Sequence, residues 1–102
     1  MAKIVWTEQS VFDLKDIFDY ISKDSKCYAE NKVRRIKEKT FILKTLPKSG
    51  RTVPELGINQ IRELIEGNYR IVYRLVNNEY IEILTVHHSA RDFESREIDK
   101  LK

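Results

Sequence analysis

A chain of 102 residues with a formal net charge of +3 is long enough for one compact domain and too short for two. Its composition, 41% hydrophobic and 34% charged, is that of an ordinary globular fold with a charged surface. The small positive balance does not single out nucleic acid, because an acidic protein partner fits it equally well.

The lone Cys27 excludes an internal disulfide and a zinc-finger type of metal centre. No run approaches the ~18 apolar residues of a membrane span. The opening "MAKIVWTEQS" lacks the apolar stretch of a signal peptide. The expectation is a cytoplasmic protein with no membrane partner and no cofactor.

Lys3–Trp6, "KIVW", is short and apolar and reads as a first strand. Thr7 can cap a following helix through its hydroxyl, with Glu8 near the positive helix end. Val11, Leu14, Phe18 and Ile21 then recur at spacings of three and four, which predicts an amphipathic helix of roughly four turns. Ser22–Ser25 break it, and Asp24 or Ser25 can cap the next helix. In that second helix Val33, Ile36, Thr40, Leu43 and Leu46 keep the spacing, and Arg34, Arg35, Lys37, Glu38 and Lys39 form a solvated face. The tight break predicts an antiparallel helical hairpin, which Pro47 stops.

Pro47–Gly57, "PKSGRTVPELG", is a loop. The pattern then changes to strands: Ile61–Glu66 and Asn68–Val76 meet across Gly67-Asn68, a dipeptide suited to a two-residue hairpin turn. Asn77-Asn78 make the next turn, and Glu79–His87 form the last strand. The tail "RDFESREIDKLK", with Phe93, Ile98 and Leu101, reads as a short helix or a frayed end. The order β-α-α-β-β-β predicts an α+β fold, a single domain over residues 1–102 with an N-terminal helical hairpin packed on one face of an antiparallel sheet.

A two-residue turn at Gly67-Asn68 sets Glu66 opposite Tyr69, Leu64 opposite Ile71, and Arg62 opposite Tyr73. This set is rich in large apolar groups and is expected to face the helices. Ile61, Glu63 and Ile65, with Arg70, Val72 and Arg74, point the other way, to an open side. There Arg70 and Arg74 can bind a phosphate or a partner's carboxylates through their guanidinium forks, or pair across strands with Glu63 and Glu82. His87 and His88, the chain's only histidines, end the last strand. They are either structural or acid–base groups; adjacent strand positions face opposite sides, which argues against a shared metal.

The stretch "IRELIEGNYRIVYRLVNNEYIEILTVHHSARDF" resembles the C-terminal half of the RelE/ParE toxins of bacterial toxin–antitoxin pairs. The marks are Arg62-Glu63-Leu64, Gly67 before Tyr69-Arg70, Tyr73-Arg74, and His88 with Arg91 after a hydrophobic strand. "PKSGRTVPEL" is similar to the loop preceding those strands and "WTEQSVFDLKDIFDYI" to the first helix, so the likeness spans nearly the whole chain. The resemblance implies a toxin neutralised by a cognate ParD- or RelB-like antitoxin. RelE-like members cleave mRNA on the ribosome, whereas ParE-like members poison DNA gyrase.

At the positions where RelE-like members place catalytic arginine and lysine, this chain has Ile65, Glu63 and Ile61. Near their second arginine and tail tyrosine stand Ser89 and Ser95. The "His-Ser-Ala-Arg" ending and the long helical hairpin are more similar to the ParE branch. The resulting expectation is a gyrase-directed toxin that is not an enzyme, with Arg70, Arg74 and Arg91 contacting partners. The alternatives are a ribosome-dependent endoribonuclease, drawing on Glu63, Arg70, Arg74, His87, His88 and Arg91, and a non-toxic homologue that only binds antitoxin.

Overall fold

The computed structural model describes residues 1–89. Its elements are β1 (Lys3–Trp6), α1 (Glu8–Ser22), α2 (Lys26–Lys39), a 3-10 helix (Thr40–Lys44), β2 (Arg51–Thr52), β3 (Ile61–Glu66), β4 (Tyr69–Leu75) and β5 (Tyr80–His88). The strands form one five-stranded sheet in the order β1-β5-β4-β3-β2. The β3-β4-β5 meander is antiparallel, as its short turns require. β1 joins it parallel to β5, so the sheet is mixed rather than wholly antiparallel. The helical hairpin supplies the long crossover that a parallel neighbour needs. The tail, including Arg91 and its expected short helix, lies outside the described residues.

Local chemistry starts the elements where the sequence places them. The Thr7 hydroxyl accepts the Ser10 N–H at 3.2 Å to cap α1, and the Ser25 hydroxyl accepts the Tyr28 N–H at 3.1 Å to cap α2. Gly67 turns the β3–β4 hairpin at φ +57°, and among the described residues no non-glycine residue has positive φ. A positive φ at the first central position alone is the type II′ pattern, which matches the twist of the strands.

The second helix ends earlier than its apolar spacing predicts. After Lys39 the chain tightens into the 3-10 helix, where the Thr40 hydroxyl donates to the Lys37 carbonyl at 2.6 Å. Such tightening is common where a helix ends. Leu43 still reaches the core, but Leu46 does not.

The main core lies between the helices and the sheet: Leu14, Ile17, Ile36 and Leu43 against Leu64, Ile71, Tyr73, Ile81, Ile83 and Val86. The buried stripe of α1 is Ser10, Leu14 and Ile17, so the helix is rotated from the expected Val11–Phe18 alignment. Val11 is 55% exposed.

The far side of the sheet is not open, which corrects the expectation. Val53, Leu56 and Ile58 fold back over Ile61, Val72 and Leu84 and make a second, smaller core. Burying a valine as Val53 is buried stabilises by roughly 1.5–3 kcal/mol, enough to hold this loop down. Its approach is fixed at Gly50. The Tyr73 hydroxyl donates to the Pro47 carbonyl at 2.9 Å and accepts the Gly50 N–H at 3.0 Å. A Cβ on Gly50 would stand 2.5 Å from the Glu63 carbonyl oxygen, so only glycine fits there.

Candidate functional site

The β3–β4 register is the one that the two-residue turn dictates, from Ile61 opposite Arg74 to Glu66 opposite Tyr69. β5 adds a feature that its sequence does not display. Val72 pairs with Thr85 while the next residue, Tyr73, pairs with Ile83, so Leu84 is an extra residue. This bulge reverses the alternation, and Ile83 and Val86, three apart, both enter the helix-side core. Helix α1 holds the bulge: the Thr7 hydroxyl donates to the Ile83 and Leu84 carbonyls at 2.7 and 3.1 Å. The Asp13 carboxylate accepts the Thr85 hydroxyl at 2.5 Å and the Val86 N–H at 3.0 Å.

Past the bulge, His87 pairs in register with Arg70 and His88 with Tyr69. The two histidines therefore lie on opposite faces of the sheet, and the structure does not bring them together. Among the described residues no three His, Cys, Asp or Glu side chains converge as a metal group.

On the loop-covered face the expected polar residues do meet. Arg70 is 5% exposed and Glu63 1%. Arg70 Nε donates to Glu63 Oε1 at 2.7 Å, and its Nη1 and Nη2 donate to the two oxygens of Glu55 at 2.7 and 2.9 Å. Glu63 also accepts from Arg51 Nε at 2.6 Å. The Arg70 guanidinium holds the Glu55 carboxyl below the usual carboxylate range, and the Glu55 hydrogen bond, with that of Glu63, holds the Arg70 pKa up. Arg74 pairs with Glu82 nearer the β1 edge and is half exposed. Cross-strand pairing thus engages both arginines, and the loop residue Glu55 engages Arg70 as well. The arrangement organises charge and anchors a loop; it leaves Arg70 enclosed.

On the helix-side face His88 packs edge-on against Tyr69, ring centroids 5.6 Å apart. The Lys32 ammonium lies 5.5 Å from the Tyr69 ring centre and 3.4 Å from Glu66. Burial raises the Tyr69 phenol pKa, with smaller contributions from Tyr20 and Tyr28. A phenol, an imidazole and an ammonium therefore share one surface.

A second feature lies on the outer side of the helices. Trp6, Val11, Leu14, Phe18 and Val33 line an open groove between β1, α1 and α2, with Lys15 and Lys37 on its walls. It exists because α1 carries more apolar residues than one buried stripe needs. Leu14 and Ile17 fill the core, which leaves Val11 and Phe18 to the groove. Val11, Phe12, Leu14, Ile17, Phe18 and Ile21 within eleven positions were the sequence signal for it. An apolar channel with cationic walls suits an acidic amphipathic segment.

Sequence reasoning missed Glu55, Arg51 and Asp13, because each acts across loops or elements far apart in the chain. Glu55 left a faint signal: Val53, Leu56 and Ile58 mark its loop as one with an apolar side.

Comparison with known proteins agrees with this architecture. The family model for the ParE toxin of the type II toxin–antitoxin system parDE matches residues 4–93. The toxin RelE2 of Caulobacter vibrioides is 31% identical over 91 residues, 89% of this chain and 99% of that protein. A structure of the chromosomal ParDE system from P. aeruginosa superposes with a TM-score of 0.71 at 25% identity, covering 86% of this chain and 96% of that one. A chain of the E. coli DinJ–YafQ complex shares the fold, with a TM-score of 0.58 at 18% identity over 92% of this chain and all of that one.

Proposed function

The chain belongs to the ParE toxin family of type II toxin–antitoxin systems, and from that premise we propose that it acts on DNA gyrase by contact and is neutralised by an antitoxin that docks in the β1–α1–α2 groove. The observation that supports a contact toxin is the division of polar groups between the two sheet faces. Metal-free RNA cleavage needs a base, an acid and phosphate-binding cations around one atom. Here His87 and His88 are separated by the sheet, Glu63 and Arg70 are engaged in an ion-pair network with Arg51 and Glu55, and Arg74 pairs with Glu82. A gyrase poison needs no bond-making group, only a surface on which a few residues concentrate the contact energy. Arg74 is a described candidate for that surface, and Arg91, following β5 in sequence, is the other.

The antitoxin assignment rests on the groove and its two lysines. An acidic amphipathic helix would bury its apolar side against Val11 and Phe18 and place carboxylates beside Lys15 and Lys37. Part of that binding is charge pairing, so it weakens with salt.

One observation favours a second reading. Tyr69, His88 and Lys32 lie together on the helix-side face, which is acid–base and cationic equipment for a ribosome-dependent mRNA endoribonuclease. Induction of the chain alone separates the two. Gyrase–DNA cleaved complexes with a DNA-damage response support the gyrase target, rapid mRNA cleavage supports the endoribonuclease, and undisturbed growth identifies a homologue that only binds antitoxin.

A further inference from the structure

The net charge of +3 conceals an uneven distribution. Residues 31–54 carry eight of the nineteen lysines and arginines and one of the sixteen acids, Glu38. The rest of the chain is acidic in balance, with eleven cations against fifteen acids. Two of the eight cations are neutralised within the fold, Lys32 by Glu66 and Arg51 by Glu63. Arg34 lies 3.9 Å from Glu38, but both side chains are more than half exposed, and such a pair holds its charges loosely. Arg35, Lys37, Lys39, Lys44 and Lys48 form no ion pair among the described residues.

Arg34, Arg35 and Lys39 are exposed on α2. The helix dipole favours cations in the last turn, which accounts for Lys37 and Lys39 but not for the two arginines before it. Between Tyr28 and Phe41 no large apolar side chain is exposed, so this surface is polar. A helix that lies on a bilayer turns an apolar side outward, whereas α2 keeps Ala29 and Ile36 in the interior. A phosphate backbone asks for what α2 offers: cations on a rigid element, with guanidinium forks that match phosphate oxygens. At about 1.5 Å per residue the 14-residue helix is roughly 21 Å long, enough to span several phosphates.

We propose that the outer side of α2, through Arg34, Arg35 and Lys39, is a contact for the phosphate backbone of duplex DNA. The inference deepens the gyrase reading and rests on it in one respect, that gyrase supplies the DNA. Contact with both the enzyme and its DNA would hold a cleaved complex together. The surface is separate from the docking groove, to which α2 contributes Val33 and Lys37.

The test uses the chain alone and a fluorescein-labelled duplex of mixed sequence, with anisotropy read over a range of salt. Each phosphate contact contributes about −0.9 to the slope of log K against log salt. Arg34→Gln with Arg35→Gln and Lys39→Gln should make that slope shallower by about 2.7 and weaken binding about tenfold or more at low salt. Lys3→Gln with Lys23→Gln and Lys26→Gln removes the same charge from exposed lysines elsewhere and should leave most of the slope in place. All six positions are exposed, so both triple variants should melt within a few degrees of the parent. Equal weakening by the two variants, no saturable binding by the parent, or a defect of the first variant confined to an RNA hairpin or to phosphatidylglycerol vesicles overturns the proposal. No gyrase enters the measurement, so it can fail while gyrase poisoning stands, and hold where poisoning is absent.

Discussion

Replacing Glu63 with alanine removes the carboxylate that joins β3 to both Arg70 and Arg51. Removing one partner of a buried ion pair destabilises by about 3–5 kcal/mol, because the survivor is left charged in a poor solvent. Two features of the structure place Glu63→Ala at the lower end. Arg70 keeps Glu55, and the Arg51 side chain, 62% exposed, can turn to water. The expected loss is therefore about 3 kcal/mol, a large share of the roughly 5–15 kcal/mol that holds such a domain folded. At about 4–8 °C per kcal/mol the melting temperature falls by roughly 12–24 °C. Thermal and urea unfolding followed by circular dichroism measure it. A paired replacement by apolar residues, Glu63→Leu with Arg70→Met, should lose less than Glu63→Ala alone, since no buried charge is stranded. A loss below about 1 kcal/mol for Glu63→Ala, the size expected of an exposed pair, would refute the reasoning that burial of Glu63 and Arg70 sets the strength of this cluster.

Gly50→Ala should destabilise by roughly 1–3 kcal/mol in the same assay and disturb the Tyr73 hydroxyl, because the added methyl meets backbone at Glu63. The Glu55 carboxyl has a folded-state pKa below its unfolded value, so its contribution to stability is present above about pH 4.5 and is lost as pH falls through the folded pKa; stability of Glu55→Gln should fall less steeply over that acid range. Changing both His87 and His88 to glutamine should leave growth inhibition in place if the target is gyrase, and abolished inhibition with antitoxin binding intact would favour the endoribonuclease. Val11→Glu puts a charge on the groove wall and should weaken antitoxin binding about tenfold or more by calorimetry while leaving the melting temperature within a few degrees, because Val11 contributes little to the core.

Local patterns were enough to reveal the helical hairpin, the meander and the β3–β4 register, because each depends on residues a few positions apart. Thr7 and Ser25 cap their own helices, and Gly67 turns its own hairpin, whatever the rest of the chain does. The family resemblance was legible for a similar reason: its marks lie along the strands in order. The rotation of α1 was not, since its apolar residues span more than one stripe and only contact with the sheet selects Leu14 and Ile17 over Val11. The bulge at Leu84 was hidden too, because nothing in "ILTVHH" distinguishes it from regular alternation; it is α1, through Thr7 and Asp13, that holds the extra residue. That single insertion decides which histidine joins Arg70 and which joins Tyr69. The sequence by itself determined the elements and the partners available to each charge. Tertiary structure decided the faces and the burial, because a residue's side of a sheet depends on every register step before it, and Glu55 meets Arg70 only when a loop fifteen residues away closes over the strand.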